Sequence, residues 1–325
     1  MDKEISLMIQ GFRTNGVGEL ITDNQEISGG WINVNDPTDE EITKLVKTFN
    51  FPRDYITSVL DENENSRQEM LKEEDEDAAS LIVMQYPHLM IGELGYIEYV
   101  TLPISIILTK NTLITASKHT PLFITKMIQN QEGYKIDTTH QEQFVLRLLW
   151  HISASYIHFL NDIDDETKKL ELQLTKSTKN EQLFALMALQ KSLTYFLTAI
   201  SSNRPILDIM KETDRFSKNA VARSFLHDVI VENEQAETMI HQYREILDQV
   251  SNVFSAVVSN NLNNIMKILT SITIVLTIPT IIGGIYGMNV DLPLSQAPNA
   301  FWIVLLLMLI ISIITAWILK KKNYF

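Results

Sequence analysis

Two uncharged segments near the end of the chain decide its class: residues 268–290, ILTSITIVLTIPTIIGGIYGMNV, and residues 300–319, AFWIVLLLMLIISIITAWIL. About 20 helical residues cross the roughly 30 Å hydrocarbon layer of a bilayer. A buried core helix is a poor alternative, because both runs lie together at the end of the chain. The first residues, MDKEISLMIQGF, carry charges at once and do not resemble a signal peptide. The sequence therefore predicts two transmembrane helices.

Basic residues flank these spans on one side only. Lys267 precedes the first span and three lysines at 320–322 follow the second, whereas the connection 291–299 contains no Lys or Arg. The positive-inside rule therefore predicts that both termini are cytoplasmic and that the connection lies outside a cell membrane, plasma or inner.

The charge is divided unevenly along the chain. The net charge is −13, and residues 265–325 contribute four lysines and one aspartate, which leaves −16 for residues 1–264. A chain this acidic lacks the basic face that nucleic-acid binding requires. An acidic cytoplasmic part favours cation binding or simply solubility.

The sequence offers little to an enzyme. It has no cysteine, which excludes disulfides, thiolate metal sites and cysteine nucleophiles. The seven histidines are scattered, and His151 and His158 lack a partner at the i, i+4 spacing of a zinc site. No glycine-rich phosphate loop, nucleophile elbow or zinc-protease motif is present. We expect neither catalysis nor an organic cofactor.

Glycine and proline divide the soluble part. Between residues 134 and 278 only Pro205 interrupts, which permits long helices. Before that, β-rich runs begin at Trp31 (WINVN), Leu81 (LIVMQY) and Tyr96 (YIEYVTLPISIILT), with helical patterns at 37–49 and 52–60. These patterns predict an α/β or α+β domain followed by long helices. The expected segments are 1–120 for the cytoplasmic α/β domain, 121–264 for the helical region and stalk, 265–290 for the first transmembrane helix, 291–299 for the extracellular loop, 300–319 for the second transmembrane helix and 320–325 for the basic cytoplasmic tail.

After Pro205 a single helix could run as far as Pro279, as a stalk continuous with the first span. Two stacked helices with an unmarked break are the alternative. Apolar residues in this stretch follow a heptad, which predicts a coiled-coil or bundle seam and a contact between protomers. Its columns are Val229, Ala236, Tyr243, Val250 and Val257, and Leu226, Ile240, Leu247 and Phe254, with Asn233 and Asn261 as polar exceptions.

Small and hydroxyl side chains recur on one face of the first span. Their spacing alternates between three and four residues, and the set is Asn263, Met266, Thr270, Thr273, Thr277, Thr280, Gly284 and Gly287. Such a stripe indicates close packing against another helix or contact with water. Asn263 extends it below the membrane, which favours water. Because two spans cannot enclose a pore, water contact predicts a symmetric ring of protomers, with the second span facing lipid.

The motif Tyr286-Gly287-Met288-Asn289, between two C-terminal spans and ahead of a basic tail, resembles that of the CorA family of magnesium channels. The resemblance is close over 263–322, including the run NNIMKILT, and extends along the helix from Asp228. Upstream, WINV at 31–34 and Pro37-Thr38 agree with the architecture of that family.

The resemblance implies a funnel-shaped homopentamer whose long helices lead into a central pore. Gly287, Met288 and Asn289 are then expected to form the selectivity filter, and Asp291 to concentrate cations at the outer mouth. A ring of neutral oxygens can hold hydrated Mg²⁺ through its water shell, because this ion gives up water reluctantly. Carboxylates in that ring would bind the ion too tightly.

The resemblance also assigns the inner pore and a regulatory site. Asn263 is expected at the inner exit and Met266 and Leu269 at an apolar constriction. The lining then continues through Thr270, Thr273, Thr277, Thr280 and Gly284. Family members often carry an apolar collar at the depth of Thr277, so the upper gate of this chain is expected to be wetter or shifted toward Met266. Cytoplasmic Mg²⁺ is expected to close the channel by bridging Asp228 to an acidic residue of another protomer, with Asp61 and Glu62 as candidates.

The sequence thus predicts a divalent-cation channel for Mg²⁺ influx, with Co²⁺ and Ni²⁺ as further candidates because they share its octahedral preference. Mg²⁺ is expected as both the transported and the regulatory ion. The expected partners are other copies of the chain, the lipid bilayer and divalent metal ions, without nucleic acid. Two alternatives stay open: a related ZntB-type zinc transporter, which the intact Gly-Met-Asn disfavours, and a membrane-anchored coiled-coil scaffold without transport, which the hydroxyl stripe disfavours.

Overall fold

A computed structural model describes residues 9–23, 29–71, 78–92, 95–174, 179–294, 298–322 and 324. The chain forms two compact units, residues 1–250 and residues 251–325.

The first unit is built on a mixed seven-stranded sheet in the order β2-β1-β3-β7-β6-β5-β4. All neighbouring strands are antiparallel except β3 and β7, which are parallel. The strands are β1 (Ile9–Thr14), β2 (Leu20–Thr22), β3 (Gly30–Asn35), β4 (Arg67–Glu69), β5 (Ser80–Ile91), β6 (Ile97–Leu108) and β7 (Thr112–Ser117). The predicted β-rich runs at Trp31, Leu81 and Tyr96 are confirmed as β3, β5 and β6.

Helices cover both faces of the sheet because the side chains of a strand alternate between faces. In β3, Ile32 and Val34 join a buried cluster with residues of α1 (Asp39–Phe49) and α2 (Asp54–Thr57). On the opposite face, the Trp31 ring packs edge-on against Phe144 of α4 (Gln141–Leu174), with 5.2 Å between centroids.

A short α3 (Leu122–Ile128) precedes α4, and helices α5, α6 and α7 follow it. In α5 (Asn180–Glu212) the buried Asn203 side chain bonds both backbone polar groups of Gln85 in β5. After α6 (Asp214–Ser217), helix α7 (Ala220–Tyr286) extends over 67 residues.

The single helix expected after Pro205 is therefore wrong at its start. Pro205 lies inside α5, where the buried Ile206, Leu207 and Met210 hold the turns that follow it. The break comes at Thr213, which is extended and caps α6. Arg215 then anchors the segment by donating to Glu142 and Gln141 at the start of α4. Tertiary contacts, rather than a helix-breaking residue, set this boundary.

The apolar seam predicted on α7 is buried by other helices of the same chain. Leu226, Val229, Ala236, Ile240, Leu247 and Val250 are all at most 5% exposed in the single chain. Polar contacts hold the same stretch against α5: Arg204 pairs with Glu234 at 2.8 Å, and Gln190 donates to Asp248 at 3.1 Å. Because these side chains are already covered, this part of the seam cannot be the expected contact between protomers.

The second unit contains the end of α7 and a further helix, α8 (Ala300–Lys321). Among the described residues, three helices are long and apolar enough to cross a membrane: α5, α7 and α8. In the most apolar window of α5, 44% of the residues are buried within the chain, against 6% for α7 and α8. Core packing therefore largely explains the apolar window of α5, but it does not explain the most apolar windows of α7 and α8.

Candidate functional site

The face of α7 that meets α8 is not the hydroxyl face. Ser271 is fully buried, and Val275, Ile278, Ile282 and Tyr286 are partly buried. These five residues follow a spacing of three or four and therefore form one stripe. At about 100° per residue, this stripe lies roughly 180° around the helix from the threonines.

The threonine stripe is correspondingly uncovered. Thr270, Thr273, Thr277, Thr280 and Gly284 are all exposed in the single chain. The sequence allowed two explanations of the stripe, close packing against another helix and contact with water; among the described residues, the helix cannot be α8 of the same chain. What remains is contact with another protomer or with water.

Three hydroxyl groups of this stripe donate hydrogen bonds to backbone carbonyls of α7. Thr273 donates to Leu269 O at 2.9 Å, Thr277 to Thr273 O at 2.7 Å and Thr280 to Leu276 O at 3.1 Å. Each hydroxyl proton is therefore held by the helix backbone, and the oxygen keeps lone pairs free to accept. A row of outward-facing acceptors suits a cation or the waters around it.

Helix α7 ends where the motif begins. Its last residue is Tyr286, and Gly287 N still donates to Gly283 O at 2.9 Å, as the helix closes. A Cβ on Gly287 would lie 3.3 Å from that same carbonyl, which is a close contact. Met288 and Asn289 lie exposed in the turn that follows.

The connection between α7 and α8 is held against the end of α7. The Tyr286 hydroxyl donates to Pro293 O at 3.1 Å. Asp291, between these two residues, is exposed. The resemblance assigned no role to Tyr286. Its position at the end of a helix, before a loop that contains proline, was the feature of the sequence that could have indicated this hydrogen bond.

The lower part of the predicted lining is also exposed. Met266 is 51% and Leu269 56% accessible, and Asn263 is exposed as well. All the predicted lining residues thus lie on α7 and are exposed in the single chain.

The predicted regulatory carboxylates lie on two separate elements. Asp228 is an exposed residue of α7. Asp61 follows a short turn of 3₁₀ helix after α2 and accepts from Asn63 N at 3.0 Å. Among the described residues, no ion pair or hydrogen bond joins Asp228 to Asp61 or Glu62, and no group of three or more His, Asp or Glu could hold a metal.

Glu62 has a partner that the sequence did not indicate. Lys118, just beyond β7, donates to Glu62 Oε1 at 2.6 Å. This hydrogen bond lowers the pKa of Glu62 below its ordinary value, so the carboxylate is ionised at neutral pH. No pattern could have revealed the pair, because the two residues are 56 positions apart.

The chain is similar in sequence and in structure to known proteins. The profile of the family described as "CorA-like Mg2+ transporter protein" matches residues 28–321. The cobalt/magnesium transport protein CorA of Methanocaldococcus jannaschii is 30% identical over 304 residues, which cover 90% of each chain. The protein of the same name from Thermotoga maritima is 27% identical over 68% of this chain and 64% of its own.

A solved structure agrees over the whole chain. The complete structure of the CorA magnesium transporter from Methanocaldococcus jannaschii has a TM-score of 0.79 and 28% identity, and the match covers 99% of this chain and 100% of that one. The mixed sheet, the long helices and the two apolar C-terminal helices are thus shared. The chain belongs to the family of CorA-like Mg²⁺ transporter proteins.

Proposed function

We propose that the protein is a homopentameric divalent-cation channel that carries Mg²⁺ into the cell. The observation that carries this proposal is the hydroxyl stripe of α7, which faces away from α8 and presents acceptor oxygens. A ring of five α7 helices turns these oxygens toward a common axis and leaves α8 outside, against lipid. The names of the relatives, cobalt/magnesium transport proteins, support the ion class.

Gly287, Met288 and Asn289 form the outer filter of this channel. Asn289 contributes its side-chain carbonyl oxygen and Gly287 a backbone one, so that the ring is neutral. Neutral oxygens bind the water shell of Mg²⁺ firmly enough to admit the ion and weakly enough to release it. Asp291, exposed just beyond, raises the local cation concentration.

The inner pore combines polar collars with one apolar constriction. Thr277 and Thr280 offer acceptors in the upper half, Met266 and Leu269 narrow the lower half, and Asn263 forms the inner exit. A constriction lined by apolar side chains can stop ions by dewetting. Because Thr277 is polar, the main barrier lies at Met266 and Leu269 rather than above.

Inward movement is driven by the membrane potential. Each elementary charge gains about 2.3 kcal/mol per 100 mV, so a dication gains about twice that on entering a negative cell. Passive flow therefore has to be stopped when cytoplasmic Mg²⁺ is sufficient.

Closure uses carboxylates of neighbouring protomers. Mg²⁺ bridges Asp228 of one protomer to Asp61 or Glu62 of the next, and without the ion the carboxylates repel one another. Lys118 competes with the metal for Glu62, because it already neutralises this carboxylate at 2.6 Å.

Ion uptake into proteoliposomes tests the proposal. The native chain, Asn289→Ala and the matched control Asn299→Ala, which alters an asparagine of the same outer connection, are compared with Mg²⁺, Co²⁺, Ni²⁺ and Zn²⁺ outside. We expect Mg²⁺ flux in the native chain and the control, and a loss of at least about tenfold in Asn289→Ala, because the filter ring loses its acceptors.

Two results contradict the proposal. Equal flux in native chain and Asn289→Ala indicates a leak or a scaffold without a filter. Zn²⁺ uptake without Mg²⁺ uptake assigns the chain to the zinc transporters instead.

A further inference from the structure

Two adjoining cavities lie in the first unit, at the start of α4. The cationic cavity has a volume of about 510 Å³, and its lining includes Arg13, Lys110 and Arg215. The aromatic cavity has a volume of about 610 Å³, and its lining includes Phe144 and Phe225. Both linings contain Thr14 and Thr139, so the two spaces share a wall.

The charge of this region is opposite to that of its surroundings. Five basic side chains line the two cavities, since the aromatic cavity adds Lys135 and Arg147, against two acidic ones, Glu142 and Asp137. Residues 1–264 as a whole carry a net charge of −16. A local excess of positive charge in so acidic a part of the chain favours an anionic ligand.

The shared wall is held firmly. Thr14 N donates to Thr138 Oγ1 at 2.9 Å, Thr138 N donates to Thr14 Oγ1 at 3.0 Å, and Thr14 Oγ1 donates to Ile136 O at 3.2 Å. These bonds fasten the end of β1 to the segment that precedes α4. The wall between the cavities is therefore preorganised, which reduces the entropic cost of binding.

The cationic cavity suits phosphate groups. Arg215 donates to Glu142 Oε1 at 3.1 Å and to Gln141 Oε1 at 2.8 Å, which fixes the guanidinium in place while further N–H groups remain on it. The Gly29–Gly30 backbone forms part of the lining, but its N–H groups already donate to Thr112 Oγ1 at 3.0 Å and to Asn111 O at 3.3 Å. The donors for phosphate oxygens are therefore the arginine and lysine side chains, which are the residues that typically bind phosphate.

The aromatic cavity suits a flat ring. Phe225 is half-buried and presents its ring to the cavity beside the exposed Val221, whereas Phe144, Ile136 and Ala222 are themselves buried in the core. The Arg147 guanidinium lies over the Phe225 ring at 5.9 Å from its centroid, so the lining already holds one planar group against this ring. Planar heterocycles stack on aromatic and guanidinium faces.

We propose that these two cavities form a binding site for a nucleoside triphosphate, with the phosphates in the cationic cavity and the base in the aromatic cavity. A polyanion and a planar apolar group joined in one small molecule match the two linings and their shared wall. Each of the two volumes, about 510 and 610 Å³, is within the range of small-molecule sites, about 300–1,000 Å³. All the lining residues belong to the first unit, so the site is separate from the proposed pore.

Binding of ATP to the full-length protein in lipid nanodiscs tests this inference. Free Mg²⁺ is buffered at one concentration throughout, because ATP chelates Mg²⁺ and would otherwise act through the proposed regulatory carboxylates. The variants are Lys110→Gln for the cationic cavity, Phe225→Ala for the aromatic cavity and Lys44→Gln, an exposed lysine of α1 outside both linings, as the control.

We expect saturable ATP binding, with Kd raised about tenfold by Lys110→Gln and by Phe225→Ala and changed less than twofold by Lys44→Gln. Tripolyphosphate and adenosine, each carrying half of the ligand, are expected to bind more weakly than ATP. Unchanged thermal unfolding of each variant shows that the fold is intact.

No saturable ATP binding at millimolar concentration, or equal Kd values in the native chain and both site variants, overturns the site. If tripolyphosphate binds as tightly as ATP and Phe225→Ala leaves the Kd for ATP unchanged, the assignment of the ligand as a nucleotide is overturned. Ion flux through the channel does not enter this test, so its result is independent of the proposed function.

Discussion

Two buried asparagines allow a paired test of how this fold is stabilised. Asn203 and Asn233 are both fully buried, and we consider their replacement by leucine, one at a time. Asn203 accepts from Gln85 N at 3.1 Å and donates to Gln85 O at 3.0 Å. Both polar atoms of the Asn233 side chain are without a partner among the described residues. The same substitution should therefore change stability in opposite directions.

The magnitudes follow from which groups lose a partner. In Asn203→Leu the Gln85 carbonyl keeps the hydrogen bond from the Tyr156 hydroxyl at 3.0 Å. The Ser66 hydroxyl, which donates to Asn203 Oδ1 at 2.6 Å, still has Ser202 Oγ at 3.0 Å, but the Gln85 N–H loses its acceptor. A buried unpaired donor costs about 1–3 kcal/mol, and the lost bonds add about 1 kcal/mol, so we expect a loss of about 3 kcal/mol. Asn233→Leu removes an unpaired amide of similar size and is expected to gain about 1–2 kcal/mol.

Urea unfolding of the full-length protein, followed by tryptophan fluorescence with Trp150, Trp302 and Trp317 replaced by phenylalanine so that only the buried Trp31 reports, measures both changes. With a slope of about 3 kcal/mol per M, the midpoint should fall by about 1 M in Asn203→Leu and rise by about 0.5 M in Asn233→Leu. Equal destabilisation by both substitutions would refute the reasoning, because it would show that hydrogen bonding does not distinguish the two positions.

Three further predictions concern the pore, a buried histidine and the regulatory site. Thr277→Val should lower Mg²⁺ flux several-fold because the collar loses its acceptors, whereas the same change at Thr315 of α8 should not; equal flux in the two variants would contradict a polar lining. Burial between aromatic rings lowers the pKa of His151 to about 4, so between about pH 4 and pH 6.5 the unfolded chain binds more protons and stability rises with pH. The free energy of unfolding should therefore be about 2 kcal/mol lower at pH 5 than at pH 7 on account of this residue, and His151→Phe should abolish that part of the difference in urea titrations at the two pH values. Glu62→Gln should raise the internal Mg²⁺ concentration that closes the channel in proteoliposomes, and Lys118→Gln should lower it by releasing the carboxylate; shifts in the same direction would exclude Glu62 as the ligand.

Much of the secondary structure could be predicted from local sequence patterns. Strands β3, β5 and β6 and the two apolar C-terminal helices follow from runs of β-branched or aliphatic residues long enough to show a period. The three-residue strands β2 and β4 at the edges of the sheet were not predicted, because their pairing depends on the neighbouring strands rather than on their own residues.

Features that depend on tertiary contact could not be predicted. Pro205 was expected to limit a helix, yet packing on both sides keeps it inside α5. The heptad of α7 indicated a seam correctly but not its partner, because a bundle within one chain and a coiled coil between chains leave the same pattern. The stripe of α7 could be listed from its spacing, but only the position of α8 shows that it is uncovered within the chain.

The accessibility of single cysteines tests most directly whether the hydroxyl stripe faces water. The native chain contains no cysteine, so Thr273→Cys, Thr277→Cys and Thr280→Cys each introduce one thiol. Leu306→Cys and Ile313→Cys on α8 serve as controls, because both side chains are about as exposed in the single chain but are expected to face lipid. In lipid nanodiscs a charged, membrane-impermeant thiol reagent should modify the three α7 variants and leave the two α8 variants unmodified, since the reagent needs water to reach a thiol. Unmodified α7 thiols, or equal modification of both helices, would contradict a water-filled pore lined by this face.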